Sequence, residues 1–230
     1  MSYVILALLA LAAVYGPQLW VRFILYRYAG ELPEIPGTGG ELAQHLINRF
    51  ELSGVTVEET QPFQDHYSPE EKVVRLSPDN FRRRSLTAIA VAAHEVGHAI
   101  QYQRNDPTCQ LKKRFLPSAL IIKKAGILFM SLPFFSLMLQ APGLGVAAGL
   151  FALITMLVSA LIYLIILPEE WDASFYKALP ILTEGEYIAE HQILAVRQVL
   201  RAAALTYFAA ALADVVRLWR WGGILRGLRL

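Results

Sequence analysis

Two long apolar runs without a charged side chain dominate the hydropathy pattern. They cover residues 1–21 and 125–168, and each is long enough to cross a bilayer, which takes about 20 apolar residues. A single helix over the second run would overshoot an apolar layer of about 30 Å, and the Ala-Pro-Gly stretch at 141–143 is a turn signal. The pattern therefore predicts an N-terminal transmembrane helix (residues 1–25) and a transmembrane helical hairpin (residues 117–167).

Residues 26–84 have the mixed pattern of a small water-soluble α+β segment. Apolar residues recur at helical spacing between Leu42 and Phe50, which predicts an amphipathic helix. The stretches 55–60 and 72–78 have the composition of strands and predict a small β-hairpin. The second of these strands leads towards the next helix, where its edge could pair with an extended peptide.

The segment after the hairpin, residues 168–230, is expected to be helical. Pro168 suits the first turn of a helix, and acidic residues follow it. The pattern of residues 186–217 predicts one long helix. Its uncharged part (202–213) is too short to cross a membrane comfortably. We expect this helix to lie in the membrane plane or on the cytoplasmic side. The whole pattern predicts a mostly α-helical membrane protein with a small soluble part.

Composition agrees with a membrane protein and narrows the partners. Hydrophobic residues make up 55% of the chain and charged residues 17%, against about 25% charged residues in average soluble proteins. The net charge of +2 is too small to indicate nucleic acid, so we expect the lipid bilayer and no nucleic acid as partners. A single cysteine, Cys109, excludes an intramolecular disulfide.

The distribution of Lys and Arg predicts the orientation. The N-terminus and the hairpin turn carry no basic residue, whereas many lie between the first span and the hairpin, among them Arg22, Arg27, Arg82, Arg83, Arg84, Lys112, Lys113 and Arg114. Basic loops stay on the cytoplasmic side of a membrane. The segment between the spans should therefore face the cytoplasm, and the hairpin should return the chain to that side at Pro168.

Residues 85–116 combine an apolar helix with a basic linker, and the helix contains the motif HExxH. His94 and His98 are four residues apart, so they share one face of a helix and can bind one metal ion. Zinc is the usual ion for two imidazoles and a carboxylate, with a position left for water. Glu95 would act as the general base on water activated by the metal.

The motif needs a third ligand, and spacing alone leaves several candidates. They are His66, Glu169, Glu170, Asp172, Glu190 and His191. The acidic cluster that follows Pro168 emerges on the side where the HExxH helix is expected. Because the metal site on that side lacks a ligand, this acidic cluster is favoured as its source. Spacing does not indicate which of its three carboxylates is the ligand.

Four blocks of the sequence carry a resemblance to a known family. They are DHYSPEEKVVRLSP, AVAAHEVGHAIQ, LPEEWDAS and RAAALTYFAAAL, in this order along the chain. They resemble the bacterial membrane-bound neutral zinc metallopeptidases often called the YugP family, which are similar in plan to the HtpX-type gluzincins. That plan is an HExxH helix, a transmembrane hairpin and then a helix with a glutamate ligand.

The resemblance implies roles for individual residues. The third block of the family has a Glu, an aromatic residue and Asp-Ala-Ser, which makes Glu170 the third ligand of a single Zn²⁺ per chain. Glu169 falls where the family usually has an apolar residue. Asp172 and Ser174 would support the ligands, although the HtpX-type enzymes have an aspartate in place of Ser174. The implied fold of the soluble part is zincin-like.

These expectations combine into one leading hypothesis and two alternatives. The leading one is a multi-pass zinc metalloendopeptidase of the bacterial cytoplasmic membrane, which cleaves polypeptides at the cytoplasmic surface. An intramembrane-cleaving metalloprotease ranks lower, because Arg82–Arg84 and Arg104 leave the HExxH helix too little apolar length for a span. The other alternative is a non-catalytic, metal-stabilised membrane scaffold or adaptor. The sequence does not indicate the substrate, the oligomeric state or partner proteins.

Overall fold

The protein is mostly helical, with one small sheet. The computed structural model describes residues 2–129 and 142–209. In chain order, the elements are helix α1 (Ser2–Arg27), α2 (Gly39–Arg49), strands β1 (Thr56–Glu59), β2 (His66–Ser68) and β3 (Val73–Leu76), helices α3 (Pro78–Arg82), α4 (Leu86–Arg104), α5 (Cys109–Phe129) and α6 (Pro142–Trp171), a π-helical turn (Asp172–Ala178), α7 (Leu179–Glu184), a 3₁₀ turn (Glu190–Gln192) and α8 (Ile193–Ala204).

The chain forms two compact units, each built from separate stretches of sequence. The first unit comprises residues 1–18, 111–167 and 207–230. The second comprises residues 19–110 and 168–206.

In the first unit, α5 and α6 pack against each other in opposite directions. The hydroxyl of Ser159 donates to the carbonyl of Ala119 over 3.4 Å. Further along α5, the ring of Phe129 lies 4.5 Å from that of Phe151, which precedes Ser159 on α6. This antiparallel pairing is the arrangement expected of the predicted hairpin, although residues 130–141, with most of the predicted turn, lie outside the described residues.

The predicted bounds of this hairpin differ from the structure at its start. Helix α5 begins at Cys109, so the basic linker predicted to run to residue 116 is already helical. Pro117 lies inside α5 rather than at its start. A proline in a helix interior removes one backbone hydrogen bond but does not always end the helix.

One described stretch meets the length and composition of a membrane span. Among the described residues, Gly143–Glu184 includes 18 consecutive residues with a mean hydropathy of 2.8. Several of its apolar side chains are exposed, such as Leu150, Ile154 and Leu161. The crossing of the membrane by α1 and α5 stays a prediction.

The second unit is organised around α4, which is buried from Leu86 to Gln101. Ser85 caps its start by accepting a hydrogen bond from the backbone N–H of Ala88, and Asn105 ends it in the left-handed conformation. Helices α2 and α8, the π-helical turn and the sheet all pack against α4. A helix enclosed in this way can hold polar groups away from water.

The sheet differs from the predicted hairpin. The two predicted strands, now β1 and β3, pair in parallel, with Thr56 opposite Val73. The third strand, β2, comes from the segment predicted to connect them, and it pairs antiparallel to β3. The strand order β1-β3-β2 therefore places β3 in the centre, and the expectation that its edge is open to a peptide is wrong. Strands of three or four residues carry too short a pattern to define their partners.

The predicted long helix over residues 186–217 is also wrong at its start. After α7 the chain turns through Gly185–Ala189, and α8 begins only at Ile193. Glu186 has a φ of 56°, which no continuous right-handed helix allows. Residues 210–217 lie outside the described residues.

The loop between β1 and β2 is held by one carboxylate, which gives a first prediction. Asp65 Oδ1 accepts hydrogen bonds from the backbone N–H of Ser77 over 2.7 Å and from its hydroxyl over 3.0 Å. Ser77 is buried, so Asp65→Ala should leave its N–H without a partner and lower the free energy of unfolding by about 1–3 kcal/mol.

Chemical denaturation of the two variants tests this expectation. The control is Asp79→Ala, which removes a carboxylate from an exposed ion pair with Arg83 and should change the unfolding free energy by less than about 1 kcal/mol. Equal effects of the two substitutions would show that the Asp65 contact does not stabilise the fold.

Candidate metal centre

Three side chains from two elements converge inside the second unit. His94 and His98 lie one turn apart on α4, and Glu170 lies at the end of α6. Their ligand atoms all lie within 4.8 Å of one another, and all three side chains are buried. Among the described residues, this is the group of three His, Cys, Asp or Glu side chains that could hold a metal ion.

The spacing of these atoms fits a tetrahedral metal. Oε2 of Glu170 lies 3.3 Å from Nε2 of His94 and 3.2 Å from Nε2 of His98. Two ligand atoms bound to zinc at about 2.0–2.1 Å with a tetrahedral angle lie about 3.3 Å apart. The two distances from Glu170 thus agree with the separations that a bound zinc ion would require.

The hydrogen bonds of His94 assign its tautomer. The hydroxyl of Ser174 lies 3.0 Å from Nδ1 of His94 and 3.1 Å from the carbonyl oxygen of Leu200. A carbonyl only accepts, so the hydroxyl donates to Leu200 and its lone pair accepts from Nδ1–H. With the proton on Nδ1, Nε2 of His94 presents a lone pair towards Glu170.

The hydrogen bonds of His98 lead to the same assignment. Nδ1 of His98 lies 2.9 Å from Oε1 of Gln101. The amide nitrogen of Gln101 donates to the carbonyl of Glu169 over 3.0 Å and to Asp172 Oδ2 over 2.7 Å. Oε1 therefore accepts from His98 Nδ1–H, and Nε2 of His98 is also an electron-pair donor. Such partners on the far nitrogen are typical of metal-binding histidines.

Buried carboxyl groups give a further reason for a cation here. Glu95, Glu169 and Glu170 have relative exposures of 7%, 0% and 2%. Buried charges in proteins are paired or coordinate metals, because each ion removed from water costs several kcal/mol. The donor set and its surroundings therefore fit a divalent metal held by His94, His98 and Glu170.

A close backbone contact brings Glu170 to the HExxH helix. A Cβ atom on Gly97 would lie 2.8 Å from the carbonyl oxygen of Ala173, closer than real Cβ atoms come. The glycine between the two histidines thus lets the π-helical turn after Glu170 pack directly on α4. Short π-helical segments are rare and often occur at functional sites.

The structure shows which of the candidates for the third ligand lies beside the two histidines. Glu170 joins the cluster, whereas Glu169 points its Oε1 to within 3.5 Å of His98 Nδ1, the nitrogen that faces away from Glu170. Asp172 contacts Gln101 and not a histidine. His66 lies on β2, with Nδ1 2.7 Å from the carbonyl of Gln64, and Glu190 and His191 are exposed.

Sequence reasoning placed some of these residues and missed others. It placed Ser174 in a supporting role, and the structure brings the hydroxyl of Ser174 to His94. It missed Gln101 and Lys177. A signal for Gln101 was present, because a buried amide three residues after His98 on an apolar helix needs polar partners. Lys177 carried no such signal, since its partners come from distant parts of the chain.

Comparison with known proteins identifies the family. A family model described as "Putative neutral zinc metallopeptidase" matches residues 3–226. The chain belongs to this family. Membership in the zinc metallopeptidase family confirms the resemblance drawn from the four sequence blocks, and it implies zinc as the metal for the cluster.

One curated relative and the solved structures complete the comparison. The chain is 34% identical over 233 residues to "Putative membrane protease YugP" of Bacillus subtilis (strain 168), which covers 96% of this chain and 95% of the relative. No solved structure matches the chain. The zinc metallopeptidase family and this relative are thus both associated with proteolysis, and the relative with a membrane.

The contact at Gly97 leads to a second prediction. Gly97→Ala should push the π-helical turn away from α4, because the added methyl group meets backbone and not a flexible side chain. Zinc bound per purified chain should then fall, since Glu170 precedes this turn by only a few residues. Plasma emission spectrometry measures the zinc.

Gly149→Ala on α6 is the matched control, because a Cβ there would meet nothing within 4 Å. Zinc content of this variant should equal that of the unaltered protein. Full zinc content in Gly97→Ala as well would show that the turn does not need the close approach.

Proposed function

We propose that this protein is a zinc metalloendopeptidase that cleaves polypeptides at the cytoplasmic surface of the bacterial membrane. The observation that carries the proposal is that Glu170 of α6 lies 3.2–3.3 Å from the Nε2 atoms of His94 and His98 on the HExxH helix. Membership in the zinc metallopeptidase family supports the reaction class. A single zinc ion per chain suits the one cluster found among the described residues.

Each residue of the motif has a distinct task in this proposal. Bound zinc would polarise the scissile carbonyl and lower the pKa of water. His94 and His98 would hold the ion through Nε2, with their protons on Nδ1, and Glu170 would supply a carboxylate oxygen. Glu95 follows His94 directly, takes the proton from the attacking water and delivers it to the leaving amine nitrogen.

The position of Glu170 along α6 supports action at the membrane surface. The uncharged run of residues 125–168 ends two residues before Glu170, and Pro168 and Glu170 belong to the same helix, α6. Two residues of an α-helix advance about 3 Å, so a ligand at Glu170 lies just beyond the apolar stretch. The basic residues between the first span and the hairpin favour the cytoplasmic side of the membrane over the other side.

The surroundings of the HExxH helix argue against cleavage within the bilayer. Helix α4 is buried by other elements of its own unit rather than presenting an apolar surface. Arg82–Arg84 precede it, and Arg104 ends it. Charged side chains at both ends of so short an apolar stretch are costly inside a membrane.

Substitution of Glu95 separates an enzyme from a metal-stabilised scaffold. Glu95→Gln should lower hydrolysis of an unstructured peptide mixture by about 10²–10⁴-fold, because the amide cannot accept the proton from water. Zinc content should stay the same, since Glu95 is not a member of the ligand cluster. New peptide termini counted by mass spectrometry measure the cleavage.

Two further variants complete this experiment. Glu170→Ala should lose both zinc and cleavage, and the exposed substitution Glu184→Gln should retain both. Unchanged cleavage by Glu95→Gln would rule out the proposed mechanism. Zinc without cleavage in the unaltered protein, over a broad peptide mixture, would favour the scaffold.

A further inference from the structure

A polar chain connects the candidate metal centre to a lysine that touches none of its ligands. Nζ of Lys177 donates to Asp172 Oδ2 over 2.9 Å and to Asp106 Oδ2 over 3.1 Å. Asp172 and Lys177 belong to the π-helical turn that follows Glu170, whereas Asp106 follows the C-terminal end of α4. Lys177 thus joins the two segments that contribute metal ligands.

This series of hydrogen bonds reaches His98 through Gln101. Asp172 Oδ2, which accepts from Lys177, also accepts from the amide nitrogen of Gln101 over 2.7 Å. The same nitrogen donates to the carbonyl of Glu169. A flipped amide would place its oxygen against both of these acceptors, so the orientation with Oε1 towards His98 is strongly preferred.

We propose that Lys177 and Asp172 are positioning residues that fix His98 as a metal ligand. Lys177 holds the Asp172 carboxylate in place, Asp172 fixes the amide of Gln101, and Gln101 holds the proton of His98 on Nδ1. Nε2 of His98 is thereby kept as an electron-pair donor on the side of Glu170. His94 is held by a different contact, with the hydroxyl of Ser174.

The charge state of Lys177 agrees with this role. Burial lowers the pKa of its ammonium group, but hydrogen bonds to Asp172 and Asp106 and the charges of these two residues outweigh burial and raise the pKa above its usual value. The side chain is 16% exposed, so the positive charge is largely enclosed by its two carboxylate partners.

The inference rests on the proposed metal site, and zinc affinity provides its first test. Purified full-length variants in detergent are titrated with zinc against a competing chelator. Lys177→Met should weaken zinc binding by about 10-fold, the lower end of the loss seen when a direct partner of a metal-bound histidine is removed, because Lys177 acts through Asp172 and Gln101. Asp172→Asn should also weaken it, because a neutral oxygen holds both Gln101 and Lys177 less strongly.

Two control variants separate positioning from a general loss of charge. Lys177→Arg keeps the cation and should retain most of the affinity. Lys72→Met removes an exposed lysine from the β2–β3 connection and should leave affinity unchanged. Equal affinity of Lys177→Met, Asp172→Asn and the unaltered protein would overturn the inference.

A spectroscopic readout tests the orientation of His98 itself. In the cobalt-substituted protein, Nδ1–H of each ligand histidine gives its own shifted proton resonance. Two slowly exchanging signals are expected for the unaltered protein. In Lys177→Met the His98 signal should exchange with solvent faster, while the His94 signal, held by Ser174, should stay as it was.

The proton signals of His94 and His98 also distinguish failure of the proposed metal site from failure of the positioning role. Absence of both signals and of zinc binding in the unaltered protein would remove the proposed metal site itself. Two unchanged signals in Lys177→Met, with a normal site in the unaltered protein, would overturn only the positioning role. Loss of both signals in Lys177→Met and also in Asp172→Asn would assign these residues to the fold and overturn the specific effect on His98.

Discussion

The structure of the site depends on the convergence of two imidazole nitrogens and a carboxylate oxygen inside the protein, a donor set that suits a divalent cation. Glu170 Oε2 lies 3.2–3.3 Å from both Nε2 atoms, in a region where three glutamates are nearly inaccessible to water. An ionised carboxylate buried without a cation costs several kcal/mol, so a bound metal would stabilise this arrangement. The enclosure of α4, the glycine within its motif and the π-helical turn are features that bring these atoms together.

The two histidines are held through different side chains of the π-helical turn, Ser174 for His94 and Asp172 for His98. His94 depends on Ser174 and, through it, on the backbone of α8. His98 depends on Gln101, which is fixed by the segment that carries Glu170. Each ligand on α4 is therefore oriented by an element distant in sequence, so the site forms only when the unit is folded.

The sequence alone was sufficient to predict that two residues close together in the chain, His94 and His98, share one helical face. The HExxH spacing places His94 and His98 on one helical face wherever the helix lies. Spacing did not distinguish Glu170 from Glu169. The two residues are adjacent at the end of a helix and differ only in the side to which their side chains point. The resemblance to a known family selected Glu170, and the structure places Glu170, and not Glu169, with the histidine Nε2 atoms.

The fold was predictable where periodicity is strong and not where pairing is long-range. The helices of the apolar runs and α4 follow from patterns over many residues. The sheet did not follow, because β2 spans three residues and its partner is chosen by tertiary packing. Gln101 and Lys177 likewise acquire their roles from contacts between segments that the sequence leaves unconnected.

X-ray absorption at the zinc edge of the purified, full-length protein tests the central claim most directly. The account predicts a first shell of nitrogen and oxygen at about 2.0–2.1 Å, with the multiple-scattering signature of two imidazoles and no sulfur. A sulfur neighbour at about 2.3 Å, or a shell with fewer than two imidazoles, would contradict a site made of His94, His98 and Glu170.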